Sequence, residues 1–115
     1  HKQIKIKNQD KWQEYKNQVA DTLIPYGGKV LFRGSQVDSF VGVTEYPDVV
    51  AIEFESADIA RQWYEGKEYQ SLVEIREKGA DIILHVYGWM GYIRNIDSRE
   101  VYFDKSCFLH VAFAL

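Results

Sequence analysis

The chain has 115 residues, 46% of them hydrophobic and 15% aromatic, with a formal net charge of −3. That length fits one domain and allows a buried core without disulfides or a structural metal. Cations alternate with acids, as in Lys67-Glu68 and Arg76-Glu77-Lys78, and no apolar run reaches 18 residues, so a nucleic-acid footprint and a membrane-spanning helix are both excluded.

Residues 3–7 alternate polar and apolar side chains, the pattern of a half-buried strand. Asn8 and Asp10 then offer helix-capping oxygens, with Gln13 at capping-box spacing from Asp10. Trp12, Tyr15, Val19 and Leu23 recur at helical intervals, so a helix is expected over 9–24, stopped by Pro25 and Gly27-Gly28. Residues 29–33 read as a strand and 37–43 as a weaker one, followed by a turn at 45–48. Residues 49–54 form the best strand of the chain. Ser56 caps a second helix whose buried side holds Ala57, Ala60, Trp63 and Tyr64. Gly66 interrupts it, and a further helix is expected over 67–78, with Tyr69, Leu72, Val73 and Arg76 aligned. Gly79 would close that helix in the left-handed conformation. Residues 81–87 make a last strand.

The resulting order is β-α-β-β-α-β, which gives an α+β, ferredoxin-like fold with an antiparallel sheet and both helices on one face. Several strands are apolar on both sides: in the 49–54 strand Val50, Ile52 and Phe54 face one way, and Val49, Ala51 and Glu53 the other. A second copy is the economical cover, so a homodimer is expected. The ferredoxin-like domain is expected to span 1–90, with 91–115 as a C-terminal extension. Residues 91–115 fall outside the pattern, with a polar loop at 94–100 and an apolar run at 107–115. That run reads as an added strand, a dimer-capping arm or a non-native extension.

Cys107 is the single cysteine, so a disulfide framework is excluded and a reducing, cytoplasmic location is expected. His1 at the start fits a tag remnant or a removed leader. His1, His85 and His110 lie far apart along the chain, so neither a metal site nor a cofactor is expected.

Arg76 shares a stripe with Tyr69 and Val73 and therefore needs an acid or an anionic ligand. Glu53 and Glu68 are its expected partners in a structural ion pair. The alternative is an anchor for a substrate carboxylate or phosphate. Glu53, mid-strand, and His85, on the last strand, are the weak candidates for acid–base chemistry. Tyr26, Arg33, Trp63, Tyr69 and Arg76 are the candidate ligand-binding residues.

Tyr26-Gly27-Gly28, Arg33-Gly34, residues 50–54, Ala60-Arg61-Gln62-Trp63-Tyr64, Glu68-Tyr69-Gln70 and Arg76 carry a resemblance. Over residues 3 to about 88 the chain resembles the family named domain of unknown function 1330 (DUF1330). The resemblance implies a dimeric α+β barrel, in which two ferredoxin-like sheets close face to face. By analogy with that barrel group, it implies binding of a small organic acid or aromatic molecule between helices and sheet. Cofactor-independent monooxygenase- or isomerase-like activity is an alternative reading, and a non-catalytic dimerisation module is the other.

Overall fold

A computed structural model describes residues 8–88, 92–94, 100–102 and 107–114. The strand expected at 3–7 lies outside the described residues, as does the middle of the polar loop expected at 94–100.

Helix α1 (Gln9–Leu23) begins at Asn8, whose Oδ1 accepts the Lys11 amide at 3.0 Å. Asp10 sits in the first turn instead of capping it, and Gln13 donates to Asn17, so the expected capping box does not form. A 3₁₀ turn, Ile24–Tyr26, with Pro25 near its start, ends on Gly27 at φ 69°. That left-handed conformation suits glycine, which has no Cβ to clash.

Strands β1 (Lys29–Ser35) and β2 (Asp48–Phe54) pair antiparallel, with a bulge between Val30 and Phe32. The segment expected as a strand at 37–43 is irregular. Ser39 takes its bonds locally, its amide donating to Asp38 Oδ1 and its hydroxyl to the Gly42 carbonyl, and Gly42 has φ 87°. Such side-chain bonds compete with a ladder.

Helix α2 (Ala57–Glu65) is capped by Ser56, whose hydroxyl accepts the Ile59 amide at 3.2 Å. Gly66 breaks it in extended conformation, where a Cβ would lie 2.9 Å from the Tyr26 hydroxyl. The next helix divides into α3 (Lys67–Gln70) and α4 (Val73–Gly79). At the division the Ser71 hydroxyl donates to the Glu68 carbonyl and the Leu72 amide donates to the Tyr69 carbonyl. Gly79 is the last residue of α4 and its φ is not positive. Its value is proximity, since a Cβ there would stand 2.8 Å from the Trp12 backbone. The missing side chain lets α4 press onto α1.

Strand β3 (Asp81–Gly88) is followed by a two-stranded ladder of β4 (Tyr92–Arg94) and β5 (Glu100–Tyr102), then by β6 (Cys107–Ala114). The main sheet is antiparallel with order β1-β2-β6-β3. The apolar run near the C-terminus is therefore an interior strand, with Leu109 opposite both Ile52 and Val86.

The fold is thus α+β. The helices lie on one sheet face, where Trp12, Tyr15, Trp63, Tyr69 and Leu72 pack with Ile52, Phe54, Leu109 and Val111. Phe32 and Tyr87 leave 57% and 45% of their surface exposed. Among the described residues, no helix is long and apolar enough to cross a membrane.

Candidate functional site

Arg76 has the least ordinary environment of any charged residue described. It lies on α4, seven residues after Tyr69, and keeps only 9% of its surface exposed. Its Nη1 donates to the Tyr69 hydroxyl at 2.8 Å, and that hydroxyl lies 3.0 Å from the Tyr15 hydroxyl. Its carboxylate neighbour is Glu77, at 3.7 Å from Nη2, with the Glu77 side chain well exposed. Neither Glu53 nor Glu68 fills the role expected of it: Arg76 rests on phenols, and its acid is the next residue along. Its Nε is buried and has no hydrogen-bond partner.

Taking a guanidinium out of water opposes its charge, but the bond to Tyr69 and the surrounding phenols outweigh that cost. They hold the Arg76 pKa above its ordinary value. Burial, reinforced by Tyr69, pushes the Tyr15 phenol up as well. The centre is a permanent cation held by the Tyr69 hydroxyl, which Tyr15 backs in turn.

That cation borders a cleft of about 480 Å³ between α2 and the sheet. Trp63 and Tyr64 supply aromatic wall, Ile82, Leu84, Val86 and Leu109 supply aliphatic floor, and Asp58 and Arg61 contribute further charge. A volume of this order matches small-molecule pockets. Apolar walls with one fixed cation suit a small molecule that has an anionic end.

The other sequence candidates are placed unequally. Trp63 is 2% exposed, packs at 4.3 Å from the Tyr69 ring and 5.6 Å from that of Phe54, and donates from Nε1 to Thr22 Oγ1 at 2.9 Å. It serves the core and the cleft wall together. Tyr69 is fully buried, so it holds Arg76 from behind and has no surface to offer a ligand. Tyr26 and Glu53 line a separate cleft of about 730 Å³ at the end of β2. Arg33 is exposed on β1, at the edge of a third space of about 370 Å³ between α1 and the sheet. His85 is exposed on β3, directly opposite His110 of β6. Distance along the chain argued against pairing those histidines, and the sheet register overrides it.

Three participants escaped sequence reading: Tyr15, Tyr64 and Thr22. Tyr15 was visible as an apolar stripe residue, and the signal passed over was that a buried tyrosine hydroxyl needs a partner. Thr22 lies three residues after Val19 and shares its stripe. Its hydroxyl accepts from Trp63 and donates to the Val19 carbonyl at 2.6 Å. The lone cysteine, Cys107, is buried, and that burial raises its thiol pKa, which suits packing and not nucleophilic attack. Among the described residues no group of three or more His, Cys, Asp or Glu is placed to hold a metal ion.

A family model described as Domain of unknown function (DUF1330) matches residues 2–87. A comparison with curated proteins finds no match.

Proposed function

The chain belongs to the DUF1330 family, and we propose that it binds a small organic carboxylate in the cleft between α2 and the sheet, with Arg76 as the anchor. One observation carries this reading. A guanidinium nine-tenths buried is held by a phenol hydroxyl beside an exposed acid, its Nε is buried without a partner, and the same residue lines the cleft. Burying a cation is costly unless it is paired. A ligand carboxylate seated there would supply the pairing, in the two-pronged geometry that guanidinium favours. Aromatic and aliphatic walls favour an apolar body behind the carboxylate, such as an aryl ring.

Binding is preferred over catalysis because Glu53, the base expected from the sequence, lines a different cleft from Arg76. Monooxygenase- or isomerase-like chemistry would need a proton acceptor within reach of the bound molecule, a role that in this cleft would fall to Asp58.

The proposed assembly is a homodimer in which two sheets close face to face as an α+β barrel. This reading is supported by the described order from α1 to β3, helix, two strands, helices and strand, which is compatible with a ferredoxin-like unit. The sheet face away from the helices carries Phe32 and Tyr87 half exposed, and Val37, Phe40, Val41 and Val43 of the adjoining loop are at least 94% exposed. Apolar exposure on this scale marks an association surface.

A thermal-shift panel tests the binding reading, using benzoate, phenylacetate and short aliphatic acids beside their uncharged amides. Stabilisation by at least one acid and by none of the matching amides is the expected result. No response to any acid, or equal responses to acids and amides, would overturn the anchor role of Arg76.

A further inference from the structure

We propose that His85 and His110 form a two-imidazole site for a divalent transition cation of the zinc type, on the sheet face away from the helices. This site is separate from the Arg76 cleft and does not depend on it.

The register makes the two histidines direct partners across β3 and β6. Directly opposed residues in an antiparallel ladder have Cβ atoms about 4.5–5.5 Å apart. Two imidazole nitrogens on one tetrahedral zinc ion, each at about 2.0–2.1 Å, stand about 3.4 Å from each other. Side chains rooted at that cross-strand spacing can converge on such a point.

Both rings share one aromatic neighbour. Tyr87 lies edge-on to His85 at 6.4 Å and to His110 at 5.8 Å, and it stacks on Phe108 at 5.5 Å. His110 also lines a groove of about 430 Å³ with Tyr46, Val49, Ile83 and Ala112. Its Nδ1 is buried and has no hydrogen-bond partner. An imidazole nitrogen in that condition is costly, and an ion or water is the usual remedy. Imidazole is a preferred ligand for zinc, copper and nickel, whereas calcium and magnesium favour oxygen. Since no third His, Cys, Asp or Glu joins the pair among the described residues, the remaining positions fall to water or to the same pair on a second copy.

Zinc sulfate titrated calorimetrically into EDTA-treated full-length chain tests the site. Saturable binding is expected, at one zinc per chain if water completes the shell and one per two chains if a second copy does. His85→Gln should weaken the affinity at least fivefold. So should His110→Gln, while His1→Gln should leave it unchanged. His85 is exposed, so its variant remains informative even if His110→Gln unfolds. A loss smaller than fivefold in His85→Gln, or abolition of binding by His1→Gln, would overturn the proposal.

Discussion

Arg76 and Tyr15 show how a buried polar pair acquires its properties from its neighbours. The seven-residue interval between Tyr69 and Arg76 put both on one stripe in the sequence, and the structure joins them at 2.8 Å. Tyr15 reaches the same centre from α1, 54 positions away from Tyr69. Because burial, with Tyr69 adding to it, raises the Tyr15 pKa, the folded chain holds that proton more tightly than the unfolded one. The stabilisation is therefore complete below about pH 10, where unfolded tyrosine titrates, and is lost as pH rises further. The slope is at most about 1.4 kcal/mol per pH unit. Urea midpoints taken from about pH 8 to about pH 11 should decline for the parent, and Tyr15→Phe should remove part of that decline. Identical slopes in the two proteins would show that Tyr15 does not contribute.

The secondary-structure elements were legible where periodicity was strong and illegible where position in the sheet mattered. Helix α1 and strand β2 follow their apolar patterns closely. The loop at 37–43 has β-branched residues that imitate a strand, yet the Asp38 and Ser39 bonds and the positive φ of Gly42 hold it otherwise. Gly79 was legible as a helix end but not as a helix contact, because nothing in the sequence shows that Trp12 lies against it. Likewise, the apolar run of β6 was visible, but its place between β2 and β3 was not. The same limit hid the His85–His110 pair, since register across separate strands is set by tertiary pairing. Leu109 tests the placement of β6. It is 3% exposed, so Leu109→Ala should cost about 2–5 kcal/mol in chemical denaturation. A loss within about 0.5 kcal/mol, the range of surface substitutions, would place β6 outside the core.

At the scale of the whole molecule, the helices cover one face of the sheet and leave apolar side chains on the other. Sedimentation at micromolar concentration should give a dimer, and Phe32→Lys should shift it toward monomer by placing a charge on the apolar face. A parent protein that sediments only as monomer would contradict the proposed barrel. The cleft is also a product of the whole fold, since α2, α4, β3 and β6 each supply part of its wall. Its proposed function rests on Arg76 being charged, buried and short of a buried acid. The most direct measurement is a calorimetric titration of parent and Arg76→Lys with the best acid from the panel, beside their unfolding midpoints. Lysine keeps the charge but cannot reproduce the planar two-pronged contact. The expected result is a folded Arg76→Lys protein that binds the acid at least about tenfold more weakly, a difference of about 1.4 kcal/mol. Equal affinity in the two proteins would contradict the assignment of Arg76 as the carboxylate anchor.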